Sequence, residues 1–195
     1  MFEKEFEGKV VLVTGGSTGI GYATVKSFLA TGAKVYFLGK PGEDLTKQTE
    51  ELKAINPDYD FASNTIDLCD YKAAQALYAE IEEKWGRLDV LVNNAGVDSS
   101  LPIHKMKQSQ WDYVMNVNLK GMFNLTKYAI KYLKKTKGCI DNTRSYCVAA
   151  DSGVCLLPSH RLSESNNTTL RNWVWASASG TVDTGNGCCV NDTPF

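Results

Sequence analysis

Short apolar runs and amphipathic stretches alternate along this chain as far as about residue 140. Val10 to Val13 is a β-branched run of the kind expected in a strand covered on both faces. A helix follows through Tyr22–Ala30, then a strand at Lys34–Leu38. A helix from about Asp44 to Ile55 ends before Pro57, and a weaker strand covers Phe61–Ile66. Tyr71–Trp85 carries Ala74, Leu77, Tyr78 and Ile81 at helical spacing, and Gly86 stops it. A strand at Val90–Val92 runs into Asn93-Asn94-Ala95-Gly96. The longest helix is predicted from Gln108 to about Leu133, with Trp111, Val114, Met115, Asn118 and Met122 along one side. A further strand begins near Gly138. Repeated β-α units of this length predict an α/β fold: a doubly wound parallel sheet with helices on both faces and right-handed crossovers.

In such sheets ligands sit at the carboxyl ends of the strands, and the chain places a glycine loop there. Residues 14–21 read T-G-G-S-T-G-I-G, with Gly15, Gly19 and Gly21 at the spacing G-x-x-x-G-x-G. Glycine permits a tight turn and close approach of the backbone to a bulky anion. The next helix, starting near Gly19, points unpaired N–H groups and the positive end of its dipole at that anion. A diphosphate is the natural occupant. The glycines alone would also suit an ordinary βα turn; the strand before them and the helix after them supply the Rossmann-type context.

Charge and composition narrow the partners. A net charge of −1 over 195 residues provides no footprint for nucleic acid or an acidic membrane. The N-terminal residues lack an apolar signal core, and no stretch is long enough to cross a bilayer, so a cytoplasmic protein without a membrane partner is expected. The six cysteines then read as free thiols. Cys188 and Cys189 are adjacent with no partner pair at metal spacing, so no metal site is expected.

Three motifs, in order, resemble those of the short-chain dehydrogenase/reductase family over about residues 5–140. Residues 14–21 resemble its T-G-x-x-x-G-x-G cofactor loop, which implies cofactor contacts from Gly15, Ser17, Thr18, Gly19, Ile20 and Gly21. Residues 93–96 resemble its N-N-A-G motif, implying that Asn94, Ala95 and Gly96 support the sheet and line the adenosine side. Residues 116–121, N-V-N-L-K-G, resemble its helix motif, which implies that Asn118 belongs to a catalytic tetrad and holds a water in a proton relay. Asn118 would equally satisfy backbone groups at a helix kink. Asp67 and Leu68 resemble the pair that contacts the adenine ring, although Asp67 also suits a neighbour of a helix N-cap. The resemblance implies hydride transfer between a nicotinamide cofactor and a small carbonyl or alcohol substrate. At the end of the second strand NAD enzymes of this type place an acid. Gly39-Lys40 stands there instead, and Lys40 could meet a 2′-phosphate or simply be a solvated lysine. The lean is to NADP over NAD.

The family's tyrosine–lysine pair does not follow. Tyr-x-x-x-Lys occurs at Tyr22/Lys26 and Tyr36/Lys40, both in the wrong part of the fold, and position 150, four residues after Tyr146, is alanine. Composition changes at the same place. Every lysine lies between Lys4 and Lys137, and residues 141–195 contain no lysine, methionine or isoleucine. The expected organisation is a dinucleotide-binding domain over 1–140 and an atypical tail over 141–195, with the last strands of the sheet missing or altered. A disordered tail fits this composition. So does an out-of-frame translation. Read one nucleotide later, permitted codons for residues 149–160 yield P-P-T-P-G-S-A-Y-Y-P-V-T, similar to the family's active-site tyrosine segment, although the lysine does not follow. The alternative function is accordingly a nucleotide-binding remnant without turnover. The family-type homo-oligomer would have an incomplete interface helix.

Overall fold

The computed structural model describes residues 4–99, 101 and 103–142. Strands β1 (Val10–Thr14), β2 (Lys34–Gly39), β3 (Phe61–Thr65), β4 (Val90–Asn93) and β5 (Cys139–Asn142) form one sheet in the order β3-β2-β1-β4-β5. Every pairing is parallel: Val11 lies between Val35 of β2 and Val90 of β4. The chain winds outward from β1 through β2 to β3, then returns to lay β4 on the other side of β1. That reversal opens a crevice at the carboxyl ends of β1 and β4, where open α/β sheets bind ligands.

Alternate strand residues feed two cores. Val11, Val13, Val35, Phe37, Val90 and Val92 meet Val25, Phe28 and Leu29 of helix α1 (Gly19–Ala30) and Leu52 of α2 (Thr46–Ile55). Val10, Leu12, Tyr36, Leu38 and Leu91 meet Ala74, Leu77, Tyr78 and Ile81 of α3 (Tyr71–Trp85) and Leu125, Ala129, Tyr132 and Leu133 of α5 (Met122–Thr136). Strands buried on both faces explain why the sequence shows apolar runs rather than alternation in β1, β2 and β4.

The ends of the helices follow local chemistry. Asp70 caps α3 by accepting from the Lys72 N–H, and Gly86 ends it in the left-handed conformation at φ 70°. Asp44, predicted as the start of α2, instead accepts from the Thr46 N–H and hydroxyl, and the helix begins at Thr46. The long helix predicted from Gln108 is α4 (Gln108–Met115), a π-type turn over Asn116–Gly121, and α5, with helical backbone throughout. Val114 and Asn118 are buried on its inner side as expected. The expected boundary near residue 140 and the atypical tail fall outside the described residues, apart from Asp141 and Asn142 in β5.

The α3–α5 contact holds a buried polar pair. Tyr78 and Tyr132 stack with ring centroids 5.7 Å apart, and the Tyr78 hydroxyl donates to the Leu125 carbonyl at 2.9 Å. Burial holds the Tyr78 hydroxyl protonated far above its ordinary range. Tyr78→Phe should lower the unfolding free energy by about 1 kcal/mol, read as a lower urea midpoint at unchanged slope. An unchanged midpoint would show that this bond contributes nothing net.

Candidate functional site

The glycine loop is built by what lies behind it. Gly15 sits at φ 60°, a conformation open to glycine, and a Cβ there would stand 2.9 Å from the Ala95 Cα. Gly21 has no such backbone demand. A methyl on it would overlap the Gly15 carbonyl oxygen and the Asn94 amide, so α1 can meet the loop closely only through glycine. Asn94 fastens the loop to β4: its Nδ2 donates to the carbonyls of Thr14 and Gly15, each at 3.0 Å. The Thr14 hydroxyl accepts from the N–H groups of Asn94 and Ala95, at 2.9 and 2.8 Å. Asn93 reaches the other way, donating to Asn142 Oδ1 of β5 at 2.9 Å.

A cavity of about 330 Å³ opens over this loop, within the range of small-molecule and cofactor sites. Of the predicted residues it brings together Gly15, Ser17, Thr18, Gly19 and Ile20 from the glycine loop and the start of α1, Asn94, Ala95 and Gly96 from the end of β4, and Lys40, Asp67 and Leu68 from the segments after β2 and β3. Helix α1 begins there without a side-chain cap, and a Cβ on Gly19 would meet nothing within 4 Å. The first N–H groups of α1 are therefore open to a ligand anion. The asparagine-fastened loop, the uncapped helix end and the space at Gly19 fit a dinucleotide diphosphate.

Two predicted residues lie behind the cavity rather than in its wall. Gly21 is buried under the loop. Asn118, in the π-type turn, closes a two-way amide clamp on Val97: its Oδ1 accepts from the Val97 N–H at 2.8 Å and its Nδ2 donates to the Val97 carbonyl at 2.9 Å. This satisfies the backbone groups of Val97, not those of the helix irregularity itself, and positions the chain leaving the N-N-A-G segment. Asp67 closes a turn on the Cys69 N–H at 2.8 Å, three residues before the cap residue Asp70. Sequence reasoning passed over Glu43, which lines the cavity and accepts from Ser17 and Lys40. Its signal was weak: one acid in a Pro-Gly turn, near the missing acid of β2.

The sequence profile of the short chain dehydrogenase family matches residues 9–154. The chain belongs to the short-chain dehydrogenase family. It is 37% identical over 140 residues to the 3-oxoacyl-[acyl-carrier-protein] reductase FabG of Thermotoga maritima, covering 71% of this chain and 56% of that protein. It is 34% identical over 140 residues to a 3alpha-hydroxysteroid dehydrogenase of Mediterraneibacter gnavus, with the same coverage. The chain thus spans little more than half the length of these relatives. Among solved structures, a metagenomic short-chain oxidoreductase in complex with NADP superposes with a TM-score of 0.64 at 34% identity, over 70% of this chain and 62% of that one. Levodione reductase superposes at 0.67 with 30% identity, over 72% and 55%. The fold is therefore the short-chain dehydrogenase arrangement of a parallel sheet between helices. The family match also continues past residue 140 into the segment read as atypical.

Neither Tyr-x-x-x-Lys match in this family member faces the cavity chemistry. The Tyr22 hydroxyl donates to the Gln48 carbonyl at 3.2 Å, and burial, with the Glu51 carboxylate nearby, pushes its pKa up to about 12. Tyr36 is fully buried in β2, and burial raises its pKa further. A tyrosine that exchanges a proton with substrate needs the opposite shift. Cys69 and Cys139 are free thiols whose pKa values burial raises, Cys139 to about 11. The remaining cysteines fall outside the described residues. Among the described residues no cluster of His, Cys, Asp and Glu is arranged to hold a metal, and no helix is long and apolar enough to cross a membrane.

Proposed function

We propose that this chain binds a nicotinamide dinucleotide in the cavity over the glycine loop, as part of an oxidoreductase acting on small carbonyl or alcohol compounds. The observation that carries the proposal is the convergence of an uncapped α1 N-terminus with a loop crowded against Asn94 and Ala95. Gly15, Ser17, Thr18, Gly19 and Ile20 would hold the diphosphate, with Gly21 keeping α1 close. Asp67 and Leu68 would meet the adenine, Asn94–Gly96 the adenosine side, and Lys40 the ribose edge. When bound, the nicotinamide would give hydride to a carbonyl carbon or take it from an alcohol carbon. This chain's own residues orient it, and Asn118 positions the strand-end segment through Val97. A cytoplasmic location and self-association belong to the same proposal. NADP is favoured over NAD if only Gly39 and Lys40 are weighed; Glu43 changes that balance, as argued below.

A second reading has its own observation: no Tyr-x-x-x-Lys follows β4 anywhere in the sequence. The chain would then hold cofactor without turning it over. Out-of-frame translation of 141–195 would account for the loss, and a tail peptide found by mass spectrometry together with an intact in-frame codon run would sink that account. Titration with NADH and NADPH, followed by nicotinamide fluorescence, tests the proposal itself. Saturable binding is expected, and its absence overturns both readings. Reduction of members of a ketone panel by the bound cofactor selects the oxidoreductase; binding without reduction selects the remnant.

A further inference from the structure

Glu43 reaches back from the turn after β2 into the rim of the cavity, and one oxygen of its carboxylate engages two donors. The Ser17 hydroxyl donates to Oε2 at 3.0 Å, and the main-chain N–H of Lys40 donates to the same oxygen at 3.0 Å. Ser17 is itself buried and fixed from behind, its carbonyl accepting from Gln48 Nε2 at 3.1 Å. Room for the carboxylate comes from Gly39. A Cβ at that position would stand 2.8 Å from Glu43 Oε2 and 2.8 Å from the Leu45 side chain. A side chain at the end of β2 would therefore oblige the Glu43 carboxylate and the tip of Leu45 to shift from their present places. The missing acid at Gly39 and the carboxylate delivered from Glu43 are two sides of one arrangement.

A carboxylate beside the second strand recognises a free ribose diol by accepting from the 2′-hydroxyl. A 2′-phosphate has no proton to offer it at neutral pH. It needs N–H and O–H donors, and the Ser17 hydroxyl and the Lys40 N–H at this rim are already held by Glu43. Its charge would also stand against a carboxylate in a partly enclosed site, where like charges repel more strongly than in water. The exposed Lys40 ammonium offsets part of this from the solvent side.

Resting on the dinucleotide reading above, we propose that Glu43 is the specificity-determining residue of the ribose subsite. It supplies the acid that β2 lacks and selects a cofactor with a free 2′-hydroxyl over one with a 2′-phosphate. The lean drawn from Gly39 and Lys40 alone is thereby reversed.

The test is a pair of binding curves on the full chain, with NADH and NADPH as probes and nicotinamide fluorescence as the readout. Wild type should bind NADH more tightly than NADPH by about tenfold or more. Glu43→Gln keeps the shape and an acceptor oxygen for Ser17 but removes the charge. It should narrow the NADH-to-NADPH ratio by about tenfold, chiefly by tightening NADPH. A merely structural role would weaken both cofactors alike and leave the ratio in place. A wild-type preference for NADPH, or a ratio unmoved in E43Q, overturns the assignment while leaving dinucleotide binding intact. Binding of neither cofactor overturns the dinucleotide reading and this assignment with it. The wild-type ratio needs no variant, so it decides the direction even if E43Q folds poorly.

Discussion

Gly21→Ala weakens NADH binding by about a hundredfold or more, equivalent to roughly 3 kcal/mol. The cause is space rather than backbone conformation, because Gly21 is not among the glycines at positive φ. The new methyl lands on the Gly15 carbonyl oxygen and the Asn94 amide. Neither can step aside cheaply. The Gly15 carbonyl is backbone at a turn already at φ 60°, and Asn94 Nδ2 is bonded to both Thr14 and Gly15. Relief comes by sliding the start of α1 away from the loop. That displaces the helix N–H groups from the position a diphosphate requires, and anion contacts fall off steeply with distance. Overpacking of this kind should also reduce stability by about 1–3 kcal/mol. Gly19→Ala makes a useful contrast. It strains a residue at φ 53° but meets open space, so its methyl points at ligand rather than at protein. Fluorescence titration with urea unfolding in parallel checks both effects. Unaltered NADH affinity in a folded Gly21→Ala protein would break the link between this loop and the ligand.

The strands and most helix ends were legible because each rests on local chemistry. Apolar runs mark strands covered on both faces, and Gly86 ends α3 because the left-handed position there suits glycine. The π-type turn at Asn116–Gly121 was invisible for a related reason. It shifts the helix register locally while Val114, Asn118 and Leu125 all remain on the buried side, so the apolar stripe reads as unbroken. The cavity wall was legible where it follows motif spacing, as at Gly15, Gly19 and Asn94. Glu43 was not, because its meaning lies in a convergence that spacing does not encode. Ser17 comes from the β1–α1 loop, the Lys40 N–H from the end of β2, and Gly39 leaves the gap between them. The clamp between Asn118 and Val97 likewise joins segments 21 residues apart.

Asp89→Ala is the substitution expected to cost the fold most, at about 3 kcal/mol. Asp89 is 5% exposed and stands just before β4, at the end of the sheet opposite the cavity. One carboxylate oxygen accepts from the Val10 N–H at 2.9 Å and from Arg87 Nε at 2.9 Å. The other accepts from Arg87 Nη2 at 2.7 Å, with Lys9 Nζ 3.6 Å away. Its main chain continues the same junction, donating to the Val10 carbonyl at 2.8 Å and accepting from the Cys139 N–H at 2.9 Å. One residue thus ties the first rungs of β1, β4 and β5 together. Truncation leaves the Val10 N–H buried without this partner and releases the guanidinium. Arg87 is 41% exposed in its side chain, so the guanidinium can return to water and the lost pair itself weighs little. The cost therefore falls on the strand junction. Arg87→Ala should cost less than that, about 1–2 kcal/mol, because the buried Asp89 carboxylate loses the guanidinium but keeps the Val10 N–H and the nearby Lys9 ammonium. Asp89→Asn, which keeps an acceptor for Val10, should fall between the two. The order Asp89→Ala, Asp89→Asn, Arg87→Ala in urea unfolding separates a backbone anchor from a salt bridge. Equal losses for Asp89→Ala and Arg87→Ala would mean that the ion pair, and not the bond to Val10, holds the strands in register. Against a typical total of about 5–15 kcal/mol, a 3 kcal/mol loss removes a large share of the margin.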